Sequence, residues 1–239
     1  MPAAPTAPSP IVATALSSSS IQLTWTMGSS NLTSYMIERS SDGTNFTTIA
    51  TGLNASTTSY TDNVGLSSAT KYYYRITAIN ATGSSAPSAI VNATTQQLFT
   101  VTYVSDLTAV SATTGYGTVQ QDKSVNGNPI TLNGTVYAKG IGTHAASTIT
   151  YNLAGKYSYF VSDVGIDAEE DGRGNGYVDF QVWGDGVLLF DSNVLTNDQV
   201  AHINVSVAGV QNLQLIASNG VAGTIDYDHA DWAGAELLA

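Results

Sequence analysis

The sequence predicts an all-β protein made of two antiparallel sandwiches in tandem. Three observations carry that expectation. Short runs of alternating apolar and polar residues, bounded by Gly, Pro, Asn, Asp and Ser, recur every ~8 to 12 residues along the chain. The 3.6-residue period of an amphipathic helix is almost absent. Finally, the charge breaks near residue 97. Before it, Glu38, Asp42 and Asp62 balance Arg39, Lys71 and Arg75. Beyond it, the remaining acids face only Lys123, Lys139, Lys156 and Arg173, so the second part holds the whole net charge of −11.

Residues 1–8 (Met1, then Pro2-Ala3-Ala4-Pro5-Thr6-Ala7-Pro8) read as the remnant of a semi-rigid inter-domain linker. Strands are then expected from Ile11 and at 21–25, 34–39, 46–50, 59–61, 72–78 and 89–93. Ser41-Asp42-Gly43 supplies a tight turn between two of them. Seven short strands in this length is the count of an immunoglobulin-like sandwich. The late-strand pattern Leu66, Thr70, Tyr72, Tyr74-Arg75-Ile76, Ala78, Asn80, Gly83, Ser85, Pro87-Ser88 resembles the fibronectin type III domain. The resemblance implies that Trp25 is the buried tryptophan of the second strand. It also implies that Tyr72 is the tyrosine-corner residue, its hydroxyl bonded back to the backbone. Residues 9–97 carry no Arg-Gly-Asp tripeptide and no titratable cluster, so a spacer role is expected.

In residues 98–239 the alternating runs are 99–104, 136–138, 148–153, 157–164, 177–183, 187–190, 202–207, 213–217 and 232–238. Gly184-Asp185-Gly186 reads as a hairpin turn. Roughly nine strands in this span point to a jelly-roll β-sandwich. Polarity comes from Ser, Thr, Asn and Gly rather than from charge: only 10% of residues are Asp, Glu, Lys or Arg. That texture suits a secreted, extracellular protein. The acidic excess argues against nucleic acid or an anionic membrane as partner. No apolar run reaches the ~20 residues of a membrane helix. The absence of cysteine excludes disulfides and thiolate chemistry. With no apolar signal core after Met1, the chain reads as a fragment of a longer secreted protein.

Candidate chemistry concentrates in four patches. Asp226-Tyr227-Asp228-His229-Ala230-Asp231-Trp232 gathers carboxylates, an imidazole and aromatic rings. Asp and His grip hydroxyl groups or a hard cation, and aromatic faces receive sugar rings. His229 either contacts ligand or orients Asp228 and Asp231, while Trp232 reads as core. The run 139–145 reads as a glycine-flanked turn presenting His144. In the acidic Gly-rich loop 167–176, Asp167, Glu169 and Asp171 are expected to hold calcium, though the spacing is not that of an EF-hand. Arg173 either neutralises these acids or bonds sugar hydroxyls. Trp183, just before the hairpin, is a candidate platform for a pyranose. No nucleophile, phosphate-loop or zinc motif is present, and no carboxylate pair is held across a cleft as glycoside hydrolysis requires. Catalysis is not expected.

Several blocks, in order, resemble the NPCBM module, grouped with carbohydrate-binding module family 51. They are Tyr103-Val104-Ser105-Asp106-Leu107, residues 127–134, 139–145, Val164-Gly165-Ile166-Asp167, residues 180–186 and Tyr227 to Ala233. The resemblance implies a β-sandwich appendage covalently linked to the catalytic domain of a secreted glycosidase. Its ligands would be galactose and fucosylated or A/B-type glycans, and a structural calcium would be bound. Ala109 and Tyr116 stand where the family usually has tryptophans. The expected function is therefore non-catalytic binding of glycans with terminal galactose-like sugars. The contacts would come from His144, Arg173, Trp183, Asp228, His229 and Asp231. The competing reading is a structural surface, adhesin or fibre protein built of β-sandwich modules.

Overall fold

The computed structural model describes residues 3–220 and 225–239. Met1 and Pro2 of the expected linker lie outside the described residues. The chain divides into two compact units, Met1–Leu98 and Phe99–Ala239.

The first unit contains β1 (Ile11–Ser17), β2 (Ser20–Trp25), β3 (Ser34–Ser40), β4 (Thr47–Asn54), β5 (Ser59–Asp62), β6 (Lys71–Asn80), β7 (Gly83–Ser84) and β8 (Val91–Thr94). One sheet has the order β1-β2-β5. The other has the order β4-β3-β6-β7, with β8 also on β6. Alternation puts Ile21, Leu23 and Trp25 of β2 inside against Tyr35, Ile37, Tyr74 and Ile76 from the opposite sheet. Trp25 meets Tyr35 edge-on at 5.3 Å between ring centroids. The Tyr72 hydroxyl accepts a hydrogen bond from the Ser67 backbone N–H at 2.9 Å, tying β6 to the segment before it. Tyr72→Phe is expected to cost about 1 kcal/mol, seen as a lower urea midpoint at unchanged m-value. Residues 3–8 do not behave as a free linker. Pro5 and Pro8 are buried, and the Ala3 carbonyl accepts hydrogen bonds from Asn31 and Asn80.

The second unit contains β9 (Val101–Tyr103), β10 (Ser111–Thr113), β11 (Gln120–Gln121), β12 (Ile130–Leu132), β13 (Thr135–Tyr137), β14 (Gly140–His144), β15 (Ser147–Asn152), β16 (Tyr159–Ile166), β17 (Tyr177–Gly184), β18 (Val187–Thr196), β19 (Val200–Ser206), β20 (Asn212–Asn219) and β21 (His229–Leu238). Two sheets, β10-β15-β20-β17-β18 and β11-β14-β21-β16-β19, face each other; β9 pairs with β21 as well. From β14 to β17 successive strands alternate between the sheets, and so do β18 to β21. That crossing pattern is a jelly roll. The core between the sheets includes Phe160, Val164, Phe180, Leu215 and Trp232, all fully buried. Trp232 packs edge-on against Phe180 at 5.4 Å. Asp185 and Gly186 take positive φ angles of 49° and 81° and close the β17–β18 hairpin. At the start of the unit Thr100 and Ala239 exchange two backbone hydrogen bonds of 3.0 Å.

One expectation is corrected here. The run around His144 is not a turn but β14, an interior strand of the six-stranded sheet. Its glycines mark close backbone approach. A Cβ on Gly142 would lie 2.3 Å from the Lys123 carbonyl oxygen, and one on Gly140 would lie 2.6 Å from that of Trp232.

Candidate functional site

Three strand ends meet at one rim of the six-stranded sheet. β14 finishes at His144 and β21 begins at His229, and the register pairs these two residues directly. Their rings lie 5.1 Å apart at 64°. On the other side of β21, β16 runs into Asp167 and a single 3-10 turn, Ala168–Glu170. The Asp167 side chain caps that turn by accepting from the Glu169 N–H. The turn thereby delivers two carboxylates to His229. Its Nδ1 lies 2.6 Å from Glu169 Oε1 and 3.2 Å from Glu170 Oε1.

Above these groups is an open pocket of about 420 Å³. His144 and His229 form its floor with Glu170, and Asn126, Arg173 and Asp226 reach it from loops. Tyr116 closes one side. Its ring stacks over His229 at 6.2 Å and 18°, and meets His144 edge-on at 5.6 Å. Tyr116 is 57% exposed, so its outer face is free to receive an apolar surface. Tyr227 forms another wall from a strained backbone, φ 69°, a conformation costly for a bulky residue. Its ring lies where a side chain on Gly174 would stand, 2.3 Å from that Cβ.

Electrostatics bear on two of these polar groups, His144 and Glu169. His144 Nδ1 donates to the Ala145 carbonyl at 2.7 Å, so Nε2 is left as an acceptor. Burial pushes the His144 pKa below that of free histidine; the Ala145 hydrogen bond only partly opposes this. The ring is neutral at pH 7. Glu169 is burdened by burial. Even so, bonds from Asn128 Nδ2, His229 Nδ1 and Ser124 Oγ hold its carboxyl below the usual range. Arg173 is 62% exposed, with its guanidinium 3.7 Å from Glu170 Oε1. The ensemble is a set of fixed donors and acceptors beside an aromatic face, a pattern that matches a hydroxylated ring.

His144, His229 and Arg173 are thus brought together, and three other sequence-predicted contacts are not. Asp231 is 0% exposed; neither carboxylate oxygen meets a donor, and the group faces the Asp167 carboxyl. Burial, then Asp167 and Glu169, push its pKa well above the carboxylate range. With no exposed surface it cannot touch a sugar. Asp228 is buried too. Its Oδ1 accepts from the Tyr177 N–H at 2.7 Å, which ties the loop to β17, and Asp226 takes its place in the pocket. Trp183 lies six residues along β17 from Tyr177, roughly 20 Å away at the strand rise. There it faces outward, its Nε1 bonded to Gln181 Oε1 at 3.0 Å. Of the expected metal ligands, Asp167 and Glu169 are inside. Asp171 is exposed on a neighbouring groove with Asp198, and burial and those charges raise its pKa. The glycines of this loop serve packing as well: a Cβ on Gly176 would lie 2.4 Å from the Tyr227 carbonyl oxygen.

Sequence reasoning passed over Glu170, Asn126 and Asp226 as contacts, and it noted Tyr116 only as a departure from a pattern. For Glu170 a signal existed, since Arg173 follows three residues later. Nothing local marks Asn126.

Two domain profiles match the chain: the NPCBM/NEW2 domain over residues 100–238 and the fibronectin type III domain over residues 6–94. The solved CBM51 from Clostridium perfringens GH95, in complex with methyl-galactose, is 41% identical. Its TM-score is 0.55, and the match covers 58% of this chain and 99% of that one. The CBM51-2 and INT domains of Clostridium perfringens ZmpB, in complex with GlcNAc, are 32% identical with a TM-score of 0.57. That match covers 71% of this chain and 37% of that one. The putative endo-alpha-N-acetylgalactosaminidase of Renibacterium salmoninarum is 33% identical over 150 residues, or 57% of this chain and 9% of that protein. The chain spans 9–28% of the length of the three curated relatives it matches. No helix among the described residues is long and apolar enough to cross a membrane.

Proposed function

Because the chain belongs to the NPCBM/NEW2 family of carbohydrate-binding modules, joined here to a fibronectin type III domain, we propose that its pocket binds a terminal galactose-like sugar. Both modules are non-catalytic. The observation that carries the reading is the convergence of His144 Nε2, Glu170, Arg173 and Asp226 beside the exposed Tyr116 face. Carboxylates accept from sugar hydroxyls, Arg173 donates to them, and Tyr116 covers the apolar C–H face of the ring. The methyl-galactose complex of a 41% identical module supports the choice of sugar. A monosaccharide buries few atoms, so single-site affinity is weak, and tethering raises the effective concentration of a linked glycosidase at a glycan surface. That role calls for a secreted protein.

Calorimetric titration with methyl-galactoside, alongside a glycan array, tests this. Saturable binding that Tyr116→Ala weakens about tenfold supports it. No binding to any glycan, together with self-association, would instead identify a structural building block. The pH dependence is a separate check. With its pKa below that of free histidine, His144 is neutral in both folded and unfolded chains above pH ~6.5. Below that the unfolded chain takes the proton first, and stability falls until folded His144 is itself protonated. Binding is therefore expected to be flat from pH 8 to about 6.5 and to decline in acid as Nε2 becomes a donor. His144→Gln, which keeps an acceptor, should remove that acid decline.

The family resemblance also implies calcium, and the buried acids fit it. Asp231 offers two donorless oxygens against Asp167, whose own oxygens each accept one N–H bond and keep a further lone pair. Without a cation this pair must share a proton or bear mutual repulsion. Asp167 and Asp231 would hold a hard divalent ion, which would supply the missing positive charge.

A further inference from the structure

The jelly roll has an open flank. β10 and β11 are edge strands of the two facing sheets, on the same side, and the sheets part between them. The space left is a cleft of about 400 Å³, lined by Ala109, Ala112, Val119, Ile149 and Tyr151, with Gln120 and Gln121 at β11. Residues Gly115 and Tyr116 of the connection between these strands line the His144 pocket instead, and the two cavities share no lining residue.

The cleft has an unusual polar content. Tyr151 sits on β15 with its side chain turned inward and is 3% exposed. Its hydroxyl has no hydrogen-bond partner among the described residues. Burial alone pushes its pKa up to about 12, with no hydrogen bond contributing. The oxygen itself is not sealed off: it stays open to solvent at the cleft and is free to bond a group that enters. Gln120 Nε2 donates to Thr118 Oγ1 at 2.8 Å, which keeps its carbonyl oxygen available. The Gln121 side chain makes no hydrogen bond among the described residues. Every polar group at this flank is neutral, and no charged side chain lines it. The remaining walls are methyl groups of Ala109, Ala112, Val119 and Ile149.

That combination excludes ions and selects by shape. The volume lies in the range of small-molecule sites, about 300–1,000 Å³. A phenol hydroxyl that opens on the cleft and amides at β11 suit hydroxyl or amide groups, while the alanine, valine and isoleucine walls suit a methyl. We propose that this cleft is a second ligand site, taking an uncharged pyranose that bears a methyl-terminated group, as N-acetylated and 6-deoxy hexoses do. The proposal rests on the carbohydrate-binding character of the module but not on occupation of the His144 pocket. Edge strands are also docking sites for extended peptides, but a peptide would pair along β10 or β11 without needing the Tyr151 hydroxyl.

The experiment titrates the full chain with N-acetylglucosamine and with L-fucose, reading the methyl resonances of Ala112, Val119 and Ile149 by NMR. At least one sugar should produce saturable shifts with a millimolar midpoint. Tyr151→Phe, which keeps the ring and the packing, should weaken that event about five- to tenfold. Ala109→Leu, which fills the cleft, should remove it. Glu170→Gln should leave it intact, because Glu170 belongs to the other pocket. If neither sugar moves these methyls, or if Tyr151→Phe titrates as the parent does, the cleft holds water only and the proposal falls. Failure of the galactose reading would show instead at Tyr116 and His144, with the cleft methyls unaffected.

Discussion

Glu170→Gln is expected to weaken galactoside binding by about 10- to 100-fold while leaving the fold intact. The carboxylate is almost fully buried at the pocket floor, its Oε1 shared between His229 Nδ1 at 3.2 Å and Arg173 at 3.7 Å. A hydrogen bond to a charged group contributes about 1.5–3 kcal/mol, which sets that range. The amide has almost the same shape, so volume is conserved and only the charge and one acceptor change. Glutamine also leaves Arg173 less firmly placed, which adds to the loss. Calorimetry measures the affinity, and a melting curve matching the parent confirms the fold. Parent-like binding in Glu170→Gln would contradict the assignment of the pocket.

The second large effect concerns the buried acids. Removal of calcium with EDTA is expected to lower the melting temperature of the jelly roll by about 8 °C. An ion present at 100 times its dissociation constant adds about 2.7 kcal/mol. A domain of this size shifts by roughly 2–4 °C per kcal/mol. Asp231→Asn removes one charge of the Asp231–Asp167 pair without changing volume. It should therefore erase the calcium increment and, in EDTA, melt no lower than the parent. A melting temperature indifferent to both calcium and EDTA would remove the metal from this picture.

Strand placement was legible because alternation is a one-dimensional signal. The pattern in 177–183 reads directly as β17, and Gly184-Asp185-Gly186 as its turn. β14 was not legible. Its glycines answer backbone from Lys123 and Trp232, partners remote in sequence, and locally they look like a turn. The site shows the same division. His144 and His229 stood out as rare imidazoles, but what makes them a pair is the β14–β21 register. In the segment that begins β21, residue type was readable from the sequence and depth was not. Asp228 and Asp231 face inward, and Asp226, one turn earlier, reaches the pocket. Tertiary contacts decide which of three identical side chains meets solvent, and no spacing rule carries that information. For Trp183 the sequence left the exposure open, because it hinges on a regular strand, and its distance from the pocket depended on which strand end forms the rim.

The backbone exchange between Thr100 and Ala239 gives this jelly roll a polarity. Chain entry and chain exit coincide at one pole, while His229 stands ten residues away at the other end of β21, about 30 Å at the strand rise. A body wired this way is a closed circuit hanging from a single stem. It can be spliced into a loop or added at either terminus of a larger polypeptide at almost the same geometric cost. In each case the rim that carries His144 and His229 lies at the pole remote from the splice.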